Sequence, residues 1–173
     1  MKKTVIILAI IITILSLNKE KKVIIPKESI RFRVIADSNS KYDQSIKKEV
    51  VNDLKNKISR LEFSNNLNDN RKKIREHIPE FKQVIEDTLN KNRYNKPYNI
   101  NYGMNYFPEK EYKGTIYKEG DYESLVITLG DGLGKNFWCV LFPPLCLLEA
   151  DEQNTSDVEY SSYIKEVIDK YFK

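Results

Sequence analysis

The sequence predicts an α+β domain, in which helices pack on a small, mostly antiparallel sheet, after an N-terminal signal or anchor segment. Apolar and polar residues alternate strictly over YNINYGMNYF, which is typical of a strand with one buried face. Apolar residues also recur at steps of three or four between residues 41 and 60 and between 74 and 89, which indicates amphipathic helices. The order strand, helices, strand, strand, helix favours a layer of helices on one sheet, and the close spacing of the later strands favours antiparallel pairing.

The first predicted strand is IRFRVIA, residues 30 to 36, where apolar residues alternate with two arginines. This pattern predicts a half-buried strand. Ser40 followed by Asp43 resembles a capping box, in which side chains satisfy the free amides at a helix start. We therefore expect a helix from about Lys41 to Arg60.

The next helical pattern contains Pro79, which lacks an amide proton and suits only a first turn. We expect a short helix to about His77 and a longer one that starts at Pro79. Strands are then predicted over residues 98 to 106, 115 to 117 and 122 to 129. The last predicted element is an amphipathic helix that carries Ile164, Val167, Ile168 and Tyr171.

The N-terminus reads MKKTVIILAIIITILSLNKEKK, in which two lysines precede an apolar run from Thr4 to Leu17. This is the pattern of an export signal. The run has 14 residues, fewer than the roughly 20 that a spanning helix needs, and no small-residue cleavage site follows. The prediction is a signal peptide or membrane anchor over residues 1 to 22, a tether over 23 to 29, and one domain over 30 to 173.

The net charge of +4 comes from the N-terminal segment. Residues 1 to 22 contain five lysines and one glutamate, and the rest of the chain has as many acidic as basic residues. Because nucleic-acid binding needs a basic face, we expect no nucleic-acid partner and contact with a membrane only through the N-terminal segment.

The segment GDGLGKNFWCVLFPPLC, residues 130 to 146, contains the glycines and cysteines that are candidates for a phosphate loop or a thiol active site. Its G-x-G-x-G spacing is not that of a dinucleotide loop, and the apolar residues that follow are interrupted by Pro143. A glycine turn after a strand explains the spacing better. The apolar run favours a core position, although part of its aromatic surface is a candidate for docking a partner.

No convincing catalytic set or cofactor site emerges. His77 is the only histidine and lies at a helix junction, where a capping role is favoured, and no metal-binding pattern accompanies it. Cys139 has apolar neighbours, which disfavour a reactive thiolate. In an exported chain, a disulfide between Cys139 and Cys146 and two buried reduced thiols both stay open. Five acidic residues near turns are candidates for an acid–base pair, namely Asp37, Asp43, Asp121, Glu123 and Asp131.

Three stretches of the chain resemble the stage II sporulation protein R family. They are IRFRVIADSNSKYDQSIKKEV at residues 30 to 50, FPEKEYKGTIYKEGDYESLVITLGDGLG at residues 107 to 134, and NFWCVLFPPLC at residues 136 to 146, which is the most specific. The chain departs from the family pattern at Phe137, where a second tryptophan is usual, and at Arg33, where a histidine is common.

The resemblance implies an exported signalling protein of endospore formation and not an enzyme. Members of the family are made in the forespore and act in the space between the forespore and mother-cell membranes. There they trigger a membrane-bound aspartic protease, which cleaves the precursor of a sporulation sigma factor. We expect this chain to be localised there, with or without a membrane tether, and to bind that protease.

The expected receptor contact is the turn after the first strand together with the segment after the last. The candidate contact residues are Asp37, Ser38, Asn39, Ser40, Gly130, Asp131, Gly132, Gly134, Asn136 and Trp138. One alternative is an exported cell-wall or peptide hydrolase that uses Cys139 or an acidic pair. Another is a lipid-surface module held by the N-terminal segment.

Overall fold

The computed structural model describes residues 22–146 and 157–172, so the predicted signal segment lies almost wholly outside the described residues. The described part contains seven strands and four helices. The strands are β1 (Val23–Ile24), β2 (Ile30–Ile35), β3 (Tyr98–Phe107), β4 (Lys110–Tyr112), β5 (Thr115–Tyr117), β6 (Gly120–Leu129) and β7 (Asn136–Phe142). The helices are α1 (Lys41–Ile58), α2 (Leu67–Glu76), α3 (Ile78–Lys91) and α4 (Asp157–Phe172).

The main sheet has four strands in the order β3-β6-β2-β7. The central pair, β2 and β6, is parallel, whereas the outer pairs β3–β6 and β2–β7 are antiparallel. A second sheet has the order β1-β5-β4 and is also mixed. The predicted fold class, α+β with helices on a small and mostly antiparallel sheet, is confirmed.

One face of the main sheet packs against α1, α2 and α3 and forms the larger core. The helix α1 begins where predicted, because the Ser40 hydroxyl accepts a hydrogen bond from the Asp43 amide. The break at Pro79 is also confirmed, since α2 ends at Glu76 and α3 carries the proline in its first turn. Fully buried residues of this core include Phe32, Val34, Leu54, Phe81, Ile85, Leu125, Ile127 and Leu141.

The other face of the main sheet is partly covered by the second sheet and α4, which form a smaller core around Ile25, Val140 and Ile164. This cover buries Arg31, which is only 1% exposed. Its guanidinium carbon lies 3.3 Å from the centre of the Tyr122 ring, and its Nη2 donates to the Lys118 carbonyl at 3.1 Å. The expectation of a half-buried β2 is therefore wrong at its start, because the strand is central and covered on both faces.

Three strands were not predicted, namely β1, β4, which lies in the expected connection after β3, and β7. The run Phe137–Phe142 forms most of β7, and it lacks alternation because both of its faces meet apolar surroundings. The two-residue strand β1 lies in the expected tether and pairs with β5, more than 90 residues away along the chain. Pairing over such a distance leaves no local sequence pattern.

Cys139 and Cys146 form a disulfide with 5.3 Å between their α-carbons. Cys139 lies in β7 and Cys146 follows the turn at Pro143 and Pro144. Both cysteines are buried, so the bridge ties the end of β7 to the chain that leaves the sheet.

Replacing both cysteines with alanine should lower the free energy of unfolding by about 2–3 kcal/mol, because the bridge restricts the unfolded chain over a short loop. Urea unfolding of the Cys139→Ala/Cys146→Ala variant measures this loss. A reductant should shift the wild-type midpoint by a similar amount and leave the variant unchanged. If the reductant left the urea midpoint of the wild type unchanged, the disulfide would not be stabilising the fold.

Candidate functional site

The candidate site lies at one end of the main sheet. Because β2 and β6 are parallel, both end at this edge, with Ile35 paired with Thr128. The turn Asp37–Ser40 follows β2 and the turn Gly130–Lys135 follows β6. The structure therefore brings together the two segments expected to form the receptor contact, and they lie at the carboxyl ends of parallel strands, where α/β proteins commonly place binding residues.

Four hydrogen bonds from the second turn, three to the first turn and one to Ala36 just before it, hold these segments together. The Asp131 amide donates to Asp37 Oδ1 at 2.7 Å. The remaining bonds join Leu133 N to Asp37 O (2.9 Å), Gly134 N to Ala36 O (2.8 Å) and Lys135 N to Asn39 Oδ1 (2.8 Å). The two turns thus form one surface, which we call the paired-turn surface (residues 37–40 and 130–135).

The glycines of this surface permit close approach of the backbone. Gly130 has φ +54°, and a β-carbon added there would stand 2.0 Å from Asp37 Oδ1. A β-carbon on Gly134 would stand 2.3 Å from the Ser38 carbonyl oxygen. The glycine pattern is thereby explained by the contact between the two turns and not by a phosphate ligand.

Two buried carboxylates and one lysine anchor the first turn. Asp37 is 7% exposed and Asp43 is 5% exposed. Lys96 donates to Asp37 Oδ2, and its Nζ lies 3.8 Å from Asp43 Oδ1. Asp43 also accepts a hydrogen bond from the Ser40 hydroxyl at 2.7 Å and another from the Ser38 hydroxyl.

The pKa values of both carboxyls lie below the usual value for aspartate. The hydrogen bond from Lys96, followed by that from the Asp131 amide, lowers the pKa of Asp37. The hydroxyl hydrogen bonds from Ser38 and then Ser40 lower the pKa of Asp43. Acid–base catalysis needs two groups whose pKa values are driven apart, so this pair is suited to anchoring the turn and not to proton transfer.

The candidate thiol and the candidate imidazole are both engaged in structural contacts. Cys139 Sγ is bonded to Cys146 and is buried. His77 Nδ1 lies 2.7 Å from the Lys73 carbonyl oxygen at the junction of α2 and α3, and its ring packs beside Phe81. Neither group is presented as a free nucleophile or base.

The paired-turn surface presents one large apolar side chain that the sequence reasoning missed. Leu133, at the tip of the second turn, is 79% exposed. Its position between two glycines was a usable signal, because a leucine in a glycine turn has little chance of burial. Lys96 was also missed, and no signal marked it, because it comes from the connection between α3 and β3.

Trp138 is half-buried beside this surface. Its ring packs edge-on against Phe107 with 5.6 Å between ring centres. The side-chain amide of Asn136 is oriented so that both of its polar atoms form hydrogen bonds. The amide oxygen accepts from Trp138 Nε1 at 3.2 Å, and the amide nitrogen donates to the Gly134 carbonyl at 3.2 Å. The indole is thereby connected to the second turn, with part of its surface open to solvent.

The predicted contact residues differ in accessibility. Asn39, Ser40, Asp131 and Asn136 are exposed, whereas Ser38, Gly130, Gly132, Gly134 and Trp138 are half-buried, and Asp37 is buried. Exposed members are available to a partner, and buried members support them.

Within the described residues, no helix has the length and apolar character needed to cross a membrane.

Comparisons with known proteins place these features in a family. The sequence model of the family described as "Stage II sporulation protein R" matches residues 26–152. The chain is 37% identical over 163 residues to the stage II sporulation protein R of Bacillus subtilis (strain 168). The aligned region covers 86% of this chain and 73% of that protein. No solved structure matches the chain.

Alanine at Gly134 should lower the free energy of unfolding by about 2 kcal/mol, because its β-carbon would press on the backbone of Ser38. Chemical denaturation measures the loss. Gly103→Ala is the matched control, since the nearest atom to its β-carbon is 3.8 Å away, and its effect should stay within about 0.5 kcal/mol. Equal effects at the two sites would contradict the close contact between the turns.

The stabilising effect of the Asp43 charge should depend on pH. The hydrogen bonds from the serine hydroxyls hold the folded pKa of Asp43 below the usual aspartate value, so the stabilisation is fully present above that usual value and is lost as the pH falls through the folded pKa. The Asp43→Asn variant keeps an acceptor for the serine hydroxyls but carries no charge. The difference in unfolding free energy between wild type and variant should therefore shrink between pH 5 and pH 2.

Asp121→Asn, on an exposed side chain, is the control for a general charge effect in that titration. A wild-type advantage over Asp43→Asn that stays constant down to pH 2 would mean that the charge of Asp43 does not support the turn.

Proposed function

Because the chain belongs to the stage II sporulation protein R family, we propose that it is an exported signalling protein that activates a membrane-bound aspartic protease. Membership supports a role in sporulation. In the proposal, the activated protease cleaves a sigma-factor precursor in the mother cell. The chain acts as a ligand from the space between the forespore and mother-cell membranes and performs no catalysis itself.

The observation that carries the proposal is the paired-turn surface with its exposed leucine. Leu133 projects from a turn that four hydrogen bonds hold against residues 36–39. A surface that is already ordered loses little conformational entropy when it binds, so more of the contact energy appears as affinity. An exposed apolar side chain with a half-buried tryptophan nearby is a suitable centre for a protein interface.

The mechanism requires differential affinity. A ligand shifts the receptor protease towards its active state only if it binds that state more tightly than the inactive one. A preordered surface favours such discrimination, because it does not adjust its shape to fit both states. The Asp37–Lys96–Asp43 anchor supports this order from beneath the first turn.

The hydrolase alternative is less well supported. The thiol of Cys139 is held in a disulfide, and the Asp37 and Asp43 carboxyls both have lowered pKa values. The disulfide leaves no free thiol at Cys139, and two carboxylates that stay ionised at neutral pH provide no proton donor for an acid–base pair. The lipid-surface alternative predicts that an unrelated cleavable signal in place of the N-terminal segment abolishes function, whereas the proposal predicts that function survives this exchange.

Co-expression in a non-sporulating host tests the proposed function. The receptor protease and the sigma-factor precursor are expressed with and without this chain, and precursor cleavage is followed by immunoblot. Cleavage should depend on the chain. Leu133→Asp should reduce cleavage about tenfold, because it places a charge at the centre of the expected interface.

Met104→Asp serves as the control, since Met104 is 66% exposed on β3 and lies outside the paired-turn surface. Circular dichroism of the purified variants checks that both remain folded. Cleavage that occurs without the chain would refute the proposed function. Full cleavage with a folded Leu133→Asp variant would refute the paired-turn surface as the contact.

A further inference from the structure

A concave groove of 470 Å³ lies between α1 and the start of β7. It is lined by Lys47, Lys48 and Lys55 from α1, with Val51 on the same helix and Phe137 from β7. We call it the lysine groove. Its size falls within the range of ligand-binding clefts, and it lies beside the paired-turn surface.

The groove combines positive charge with an apolar floor. The lining contains three lysines and no aspartate or glutamate, and its other polar members are amides. Val51 is buried and Phe137 is half-buried, and Lys55 Nζ lies 5.4 Å from the centre of the Phe137 ring. Outside the N-terminal segment the chain has no net charge, so this lining is a local concentration of cations.

Lys47 connects the groove to the paired-turn surface. Its Nζ donates to the carbonyl of Lys135, at the end of the second turn, at 2.9 Å. Gln44 also connects the groove to the paired-turn surface, because its side-chain amide donates to the Ser38 carbonyl at 2.8 Å. One partner can therefore cover the turns and continue into the groove without crossing another element.

From this arrangement we infer that the lysine groove binds an extended acidic peptide segment of the partner protein. The lysines attract its carboxylates, and the floor formed by Val51 and Phe137 accepts an apolar side chain between them. Charge complementarity of this kind speeds association and selects the partner. A lipid headgroup would use the lysines but not the floor. The inference deepens the proposed function, since it assumes that the partner is the receptor protease.

The first experiment needs no protease. A fluorescein-labelled peptide of sequence Glu-Leu-Glu-Leu-Glu is titrated with the full chain, and its anisotropy is followed. The wild type should bind, and the affinity should fall as salt is added. Lys48→Glu/Lys55→Glu should weaken binding about tenfold or more. Lys47 is left unchanged because it holds the Lys135 carbonyl.

The control variant is Lys82→Glu/Lys165→Glu, which makes the same change of net charge on the exposed faces of α3 and α4. It should bind the peptide as the wild type does. Two further probes test the floor and the source of the charge, namely Glu-Gly-Glu-Gly-Glu and vesicles of phosphatidylglycerol. Both should bind more weakly than the leucine peptide. The inference would be overturned if either probe bound as tightly as the leucine peptide. It would also be overturned if both charge variants lost the same affinity for that peptide, or if the wild type did not bind it.

The second experiment repeats the co-expression assay with these variants. Lys48→Glu/Lys55→Glu should reduce precursor cleavage about tenfold, and Lys82→Glu/Lys165→Glu should leave it unchanged. If both variants support full cleavage, the groove inference fails while the proposed function stands. If cleavage is independent of the wild-type chain, the proposed function fails, and the peptide titration alone decides whether the groove binds acidic peptides.

Discussion

The parallel pairing of β2 with β6 is the constraint on which the rest of the structure depends. It opposes Arg31 to Ser124 and Ile35 to Thr128, and it requires a long connection between two strands that run in the same direction. The three helices α1 to α3 lie in that connection and cover one face of the sheet. The same pairing ends both strands at one edge, where their following turns meet. The larger core and the candidate contact surface thus have a common origin.

Two kinds of interaction maintain order around that edge. Backbone amides of the second turn donate to the first turn and to Ala36, and the Lys96 ammonium holds the buried carboxylates beneath the first turn. The glycines are needed because side chains at these positions would force the turns apart. Each interaction acts on a separate part of the chain, so together they limit motion of a surface that would otherwise consist of loops. In the proposed signalling role, such order makes discrimination between two receptor states feasible.

The balance of charge over the chain differs from the charge found locally on α1. The chain beyond its N-terminal segment has equal numbers of acidic and basic residues, which gives no general attraction to anions. Within that balance, α1 carries lysines towards β7 on one side and buries Asp43 under the first turn on the other. One helix thereby supports the paired-turn surface and lines the lysine groove. Under the proposal, a partner that contacts both sides would meet the apolar side chain of Leu133 and the positive charge of the groove.

The sequence by itself determined the fold class, the helix cap at Ser40, the helix break next to Pro79, and the strands with clear alternation, because caps, proline and periodicity act over a few residues. It also indicated that the glycine segment is a turn. Only the tertiary structure decided that β7 is a strand, that Arg31 is buried, and that Lys96 reaches Asp37 across 59 positions of the chain. These features arise from contacts between distant segments. The strands that create them were visible in the sequence, but the order in which they pair was not.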